Sequence, residues 1–430
     1  MVILLLEDIK NFLLSLHPDI IIQAPSRINI INPLDAVEGD FWMPSVAING
    51  IKNPLSVFLY IKEIEGESRL KVYTLKKLME QYSFIIKSEE ILSKNKSEVK
   101  TKLNGPNKLI YASISRFCKM NSYFESLFLN ANIEIGLLTT IPEKSGLGGS
   151  AALIIAVLYG LAQFFDIYNK FDVLKDHEFP INKDIIAEMA TKIEDEDLKI
   201  TAGYADRYVI SRGGLSFCSY SGKLYHRPLS EEPLAVYDRI DEVYELNDIP
   251  IIICYSGVHH ESGDVHGKLR EMYLENNPIL LSSYKKLADV AWRSRFAIMR
   301  RDWIGLGILL KENTRIMNHV MKEVGFKYGI GFANNILIDL IEEHPDTYAA
   351  KLTGAGGGGS VFALVNPNKI RSIRKYWQEK LNELIINKEV FASKFPSYPL
   401  DIINKLKNAQ FFQIKIDKNG VEMIFSKESE

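Results

Sequence analysis

The sequence predicts a chain of mixed strands and helices organised as two domains. Three observations carry that expectation. The 430 residues exceed the roughly 100–200 usual for one domain. Short runs rich in Val, Ile and Phe alternate with longer stretches of helical period along the whole length. A polar segment at 229–247, bearing Pro and Glu, reads as a linker and places the domains at 1–228 and 248–430.

Taken in order, residues 1–16 read as a short helix and 19–23 as β-rich chain. The stretch around Arg27–Ile31 alternates, with Arg27 and Asn29 on one face and Ile28 and Ile30 on the other, before an Asn-Pro turn at Asn32. Residues 45–61 read as strands about a Gly50 turn. The Lys-rich excursion 63–107 reads as mixed helix and loop. A helix at 111–130 and a strand at 131–140 lead to a strongly apolar helix at 151–165. A second helix, 182–198, ends in the acids Glu194, Asp195, Glu196 and Asp197. Segments 215–220 and 223–228 read as a hairpin around Ser221-Gly222. In the second half, a buried strand at 250–255 precedes two or three long helices in 265–342. Strands at 349–352 and 361–365 flank a glycine run, a helix follows at 368–386, and strands at 411–416 and 421–425 close the chain as a pair.

Composition excludes several classes. The chain is 47% hydrophobic and 25% charged, ordinary globular values. Its 27 Gly and 16 Pro are too few for collagen-like or low-complexity chains. Lys and Arg number 52 against 54 Asp and Glu, a net charge of −2, which gives no general attraction to nucleic acid or an anionic membrane. Cys118, Cys218 and Cys254 form no Cys-x-x-Cys and no Cys/His cluster, so they read as reduced thiols in a cytoplasmic protein. The start, MVILLLEDIK, lacks the basic region of a signal peptide. The longest apolar stretch, 153–165, contains Gly160 and Gln163 and falls short of the about 20 residues needed to span a bilayer.

Two glycine-rich segments carry the chemistry. Ser145-Gly146-Leu147-Gly148-Gly149-Ser150 follows a strand and opens a helix. Small residues let a ligand approach the backbone, and the open N–H groups and positive dipole end of the helix favour an anion. Ser150 at the helix mouth is placed to offer a hydroxyl to a phosphate-bound metal. No Lys stands between the last glycine and Ser150, so this is not a Walker A loop. The bland alternative is a glycine-rich helix start with no ligand. The second segment, Gly354-Ala355-Gly356-Gly357-Gly358-Gly359, formally matches GxGxxG. A β-like run follows it, which argues against a dinucleotide fold. It reads either as a turn facing a bound phosphate or as a plain flexible hairpin turn.

These pieces resemble the motifs of the GHMP kinase family (galactokinase, homoserine, mevalonate and phosphomevalonate kinases). APSRINIINPLD resembles the family's first motif, PEKSGLGGSAA its phosphate loop, and KLTGAGGGGSVFAL its late glycine-rich strand turn. The three occur in order across 24–365. Within the family, AGYADRYVISRGGLSF, SGDVHGKLREMY and NPLD are similar to segments of the sugar-1-kinase branch, glucuronokinases above all. Some features depart from the pattern. Gly149 and Ala151 stand where serines are common, and the galactokinase-type Gly-Glu-His after the first strand is absent. The chain is also longer than a minimal member, at 63–107 and 385–410.

The resemblance implies a two-domain α+β architecture, with an N-terminal domain like ribosomal protein S5 domain 2 and a ferredoxin-like C-terminal domain. It implies ATP and Mg²⁺ as cofactors and phosphoryl transfer to a sugar hydroxyl, the anomeric one in a glucuronokinase-like enzyme. Heptose-phosphate and galactose kinases, an ATP-dependent decarboxylase of the mevalonate type and a non-catalytic sugar- or nucleotide-binding relative are the rival readings. By the same resemblance, Pro142, Ser145, Gly146, Leu147, Gly148, Gly149, Ser150 and Ala151, with Gly356 and Gly357, bind ATP. Ser150 and Glu194 hold the metal. Asp206 takes the acceptor proton beside Arg27, and Asn32, Asp35, Tyr208, Ser262 and Arg270 contact the sugar, with His266 nearby. Each has a structural alternative: Asp206 a helix cap, the acids from Glu194 a solvated face, Asn32 a turn former, Ser262 a helix cap. A small-molecule sugar and ATP are the expected partners, with no nucleic acid and no membrane.

Overall fold

The computed structural model describes residues 5–31, 42–51, 53–78, 81–174, 178–219, 229, 234–259 and 262–429. Its strands are β1 (Ile20–Asn29), β2 (Trp42–Gly50), β3 (Ser56–Glu63), β4 (Arg69–Leu78), β5 (Gln81–Ile91), β6 (Ile133–Thr139), β7 (Leu215–Ser219), β8 (Val236–Arg239), β9 (Ile251–Tyr255), β10 (Thr347–Thr353), β11 (Ser360–Val365), β12 (Gln410–Ile416) and β13 (Glu422–Ser426). The helices of the first half are α1 (Leu5–Leu14), α2 (Lys96–Lys102), α3 (Lys108–Met120), α4 (Ser122–Asn130), α5 (Gly149–Phe164), α6 (Lys183–Lys192), α7 (Ala205–Arg212) and α8 (Ile240–Val243). Those of the second half are α9 (Ser262–Leu274), α10 (Pro278–Met299), α11 (Trp303–Glu323), α12 (Phe332–Glu342), α13 (Ile370–Ile386), α14 (Lys388–Lys394) and α15 (Ile402–Leu406).

The described strands join in the order β10-β11-β9-β12-β2-β1-β3-β6-β4-β5, with β13 on β1 and the β7–β8 pair on β2. β1 is the pivot. Its first half pairs with β3 as far as Pro25, opposite Ser56. From Ser26 its second half pairs with β2. The strand is buried along its whole length, so Arg27 and Asn29, two residues apart and on one face, project their polar groups inside the protein.

α5 explains the longest apolar run. Its faces are buried almost all round, as expected of a core helix. It lies so close to the sheet that a Cβ on Gly160 would come within 2.7 Å of Leu59. No described helix is long and apolar enough to cross a membrane.

Several expectations need correction. The excursion 63–107 is mainly the β4–β5 hairpin, with α2 after it. Its alternating charges lie on a ribbon at the sheet's edge, where charged side chains suppress further pairing. The segment read as a linker carries β8 and α8, and β8 pairs with β7. The other arm of the expected hairpin, 223–228, lies outside the described residues. β12 and β13 do not pair with each other. β12 bridges β9 and β2, whereas β13 pairs with β1. Four helices, α9 to α12, fill 262–342.

Candidate active site

The end of β1 holds the first glycine loop. The Ser26 hydroxyl donates to the Leu147 carbonyl (2.7 Å), and Arg27 reaches the same carbonyl with its backbone N–H (3.2 Å). Arg27 Nη1 donates to the Gly146 carbonyl (2.6 Å). Gly148 caps α5 with φ +80°, and a Cβ there would lie 3.0 Å from both Arg27 Cγ and Ile210 Cδ1. The first helical bond runs from Ala152 N–H to Gly148 O (2.9 Å). The N–H groups of Gly149, Ser150 and Ala151 therefore precede it and are available to an anion. The Ser145 hydroxyl is only 2% exposed and has no hydrogen-bond partner among the described residues. Buried polar groups are normally paired, which sets this hydroxyl apart within the loop.

The second glycine segment closes on the first. Ser360 Oγ donates to the Ser145 carbonyl (2.8 Å), and a Cβ on Gly354 would meet Gly146 at 3.4 Å. The turn is anchored from behind by Gly357 N–H to Ile330 O (2.8 Å), Gly359 N–H to Val258 O (2.9 Å) and Asn334 Nδ2 to Gly358 O (2.9 Å).

Asp206, in the first turn of α7, sits against the same strand. Arg27 Nη2 pairs with its Oδ2, and Asn29 Nδ2 donates to its Oδ1 (3.0 Å). Its side chain remains 16% exposed. Burial alone would raise its pKa. The Arg27 charge, the hydrogen bonds from Arg27 and Asn29, and the charge of His266 outweigh burial and hold the carboxyl below the usual carboxylate range.

The acidic run is a single π turn, Ile193–Asp197, of the kind often found at functional sites. Every acid in it meets an arginine. Glu194 pairs with Arg207, Asp195 with Arg270 through two bonds of 2.9 and 3.0 Å, and Glu196 and Asp197 with Arg116 (3.0 and 2.8 Å). Arg207 Nη1 also lies 3.7 Å from Asp206 Oδ2, so Glu194 is the acid joined to the Asp206 cluster. Among the described residues no group of three or more His, Cys, Asp or Glu side chains is arranged to hold a metal ion alone. Mg²⁺ carried with phosphates needs only one or two protein oxygens. The exposed Ser150 would supply one. Glu194, which engages Arg207 through Oε2, would supply the other through its second oxygen. The donor chemistry fits Mg²⁺.

One expected sugar contact is corrected. Tyr208 is fully buried in a cluster with Met43, Ala187, Tyr204, Ala205 and Cys218. Its hydroxyl donates to Glu188, and burial together with the Glu188 charge pushes its pKa well up. Two residues along α7 from Asp206, about 200° round the helix, it points to the opposite side. Arg270 donates to Asp195 and to the Ala202 carbonyl (3.1 Å), so it braces the acidic turn. Asn32 and Asp35 lie outside the described residues, and of Ser262 only its place at the start of α9 is described. Pro142 is partly exposed ahead of the loop, and Ala151 is buried in the first turn of α5. Sequence reasoning missed Thr353, which accepts from Asn29 N–H (3.2 Å), and Ser45, which donates to Asn29 Oδ1 (2.8 Å). It also left Asn29 without a role, although the alternation of β1 already put it beside Arg27.

A two-domain α/β fold with a glycine loop capping a buried helix and a paired acid beside it defines the class. Family models for the GHMP kinases N terminal domain and the GHMP kinases C terminal domain match residues 108–214 and 297–383. The chain thus resembles GHMP kinases in both of its halves. It is 25% identical over 265 residues to probable glucuronokinase 2 of Arabidopsis thaliana, covering 60% of this chain and 64% of that protein. It is also 25% identical over 243 residues to D-glycero-alpha-D-manno-heptose 7-phosphate kinase of Campylobacter jejuni, covering 55% and 63%. The chain thus spans less than two thirds of the length of these curated relatives. Among solved structures, Methanococcus jannaschii mevalonate kinase superposes with a TM-score of 0.56 at 18% identity, covering 93% of this chain and 98% of the other. Lactococcus lactis galactokinase complexed with galactose gives 0.60 at 16% identity, covering 94% and 95%. Both share the fold.

Proposed function

We propose that the protein is a sugar kinase that transfers the γ-phosphate of ATP, with Mg²⁺, to a sugar hydroxyl. The observation that carries this reading is that one residue, Arg27, binds both the phosphate-loop carbonyl of Gly146 and the carboxylate of Asp206. Donor and acceptor sides of a transfer are thereby set by one side chain.

Phosphoryl transfer asks mainly for positioning and charge neutralisation. The N–H groups opening α5 and the Ser145 hydroxyl bind phosphate oxygens. Ser150 and Glu194 would hold Mg²⁺, which neutralises phosphate charge when bound. Asp206 accepts the hydrogen bond of the acceptor hydroxyl and takes its proton as transfer proceeds, while Arg27 faces the charge developing between them. The low pKa of Asp206 keeps it ionised throughout the neutral range. The acid limb of its pH–rate profile is therefore expected below the ordinary carboxylate range.

The likeness to glucuronokinases favours a uronic acid or related sugar, phosphorylated on the anomeric hydroxyl. A substrate carboxylate wants a cation. Arg207 and Arg270 already pair with Glu194 and Asp195, so a substrate carboxylate bound by either would share it with that acid. The likeness to a heptose-phosphate kinase keeps that substrate, with galactose, as the alternative. ADP release with ATP and a panel of free sugars, uronic acids and sugar phosphates decides among them. In the active pair, Asp206→Asn is expected to cut kcat by at least about 100-fold and to leave the KM for ATP within about threefold. Undiminished turnover in that variant overturns the assignment.

A further inference from the structure

Asn29 is a junction. Its side chain donates to Asp206 Oδ1 (3.0 Å) and accepts from Ser45 Oγ (2.8 Å). Its backbone N–H donates to Thr353 Oγ1 (3.2 Å). Its backbone carbonyl lies 3.4 Å from Lys351 Nζ. Asn29, Thr353 and Lys351 are all buried. Thr353 and Lys351 sit on β10, 324 and 322 positions away in sequence, and Thr353 immediately precedes the second glycine segment.

That segment therefore touches both sides of the site. Through Gly354 and Ser360 it closes on Gly146 and Ser145. Through Thr353 it holds the backbone of the residue that orients Asp206. We propose that Thr353 and Lys351 are positioning residues, which fix Asp206 through Asn29 and so couple the second glycine turn to the carboxylate. This rests on the kinase reading above for its consequence, though not for its geometry.

Lys351 suits the task because it has no carboxylate partner among the described residues. Its Nζ donates to the Leu352 carbonyl (2.6 Å) and lies 5.0 Å from the Phe362 ring centroid. Burial first, and then the Arg27 charge, push its pKa well down. Its Nζ is directed at the Leu352 and Asn29 carbonyls and not at Asp206. Thr353 contributes a single acceptor. Without it, a buried N–H on Asn29 loses its partner, and the residue must shift to find another.

Thr353→Val keeps the shape and removes the acceptor; Thr353→Ser keeps the hydroxyl. Valine is expected to lower kcat about tenfold, the rate equivalent of one buried donor left unpaired, with the KM for ATP within about twofold. Serine is expected to restore kcat to within about threefold of wild type. A drop in thermal midpoint for Thr353→Val with kcat unchanged overturns the proposal, because a merely structural threonine would behave that way. A second readout needs no substrate: the thermal midpoints of wild type, Thr353→Val, Asp206→Asn and the double variant. Coupling through Asn29 makes the two losses non-additive, and strict additivity overturns it. If wild type releases no ADP with any acceptor, the kinase reading fails, while the midpoint cycle still decides the coupling.

Discussion

The two glycine segments look alike in sequence and are built for different reasons. In 145–150, glycine is needed mostly for space. Gly146 and Gly148 have positive φ, at 71° and 80°, but Gly148 is also where Arg27 and Ile210 crowd the backbone. In 354–359, glycine is needed mostly for conformation: Gly354, Gly356, Gly357, Gly358 and Gly359 have φ of 96°, 104°, 83°, 150° and 82°, a path open to few other residues. The first segment thus makes room for Arg27 beside the start of α5, and the second shapes a turn. Counting glycines does not separate the segments; the positive φ of all five glycines in the second does.

The largest break in this comparison is Gly148→Ala. A methyl group 3.0 Å from Arg27 Cγ must displace the side chain that joins Gly146 to Asp206, and the left-handed backbone adds strain of about 1–2 kcal/mol. Misplacement by an ångström can cost about 100-fold in rate. Turnover is expected to fall by that order, together with a lower thermal midpoint. Retention of more than a third of wild-type kcat would show that Arg27 does not need its present seat.

Gly357→Ala sharpens the contrast from the other side. Nothing lies within 4 Å of a Cβ at Gly357, yet its φ is +83°. Strain without a clash is expected to cost about 1 kcal/mol of stability and to move kcat by no more than about threefold. A loss as large as that of Gly148→Ala would mean that the second turn itself contacts the nucleotide at this residue.

The same contrast governs what could be read in advance. The alternation of β1 made Arg27 and Asn29 one face of a strand, because the two-residue period is local. The phosphate loop was legible because the strand, the glycines and the helix that form it are contiguous. The acidic run was visible only as charge. Its three arginines, at 116, 207 and 270, come from separate elements, and only the fold brings them to one π turn. Tyr208 was misplaced because the rotation of α7 sends residues two apart to opposite sides, and neighbourhood in sequence cannot say which side is the core. The C-terminal strands were misread for a related reason: their alternation marks them as strands, but their partners, β9, β2 and β1, lie far back in the chain. Thr353 and Lys351 carried no local signal at all, since their significance lies in a contact with a residue more than three hundred positions away.

Gly149 tests the space argument at its weakest point, where the smallest effect is expected. The family pattern that the loop resembles often has serine here, and the glycine was noted as a departure. Gly149 is the first residue of α5 and lacks the left-handed φ of its neighbour Gly148. A Cβ there would rest 3.5 Å from Ile141 Cγ2, an ordinary packing distance. No steric or conformational requirement for glycine remains, and replacing glycine in a helix-compatible backbone restricts the unfolded chain by about 0.4–1 kcal/mol. Gly149→Ser is therefore expected to leave kcat and the KM for ATP within about twofold and to hold or slightly raise the thermal midpoint. A tenfold rise in the KM for ATP would sink this reading, because it would place the phosphate chain against the Cα of Gly149, closer to the backbone than the N–H groups of α5 alone require.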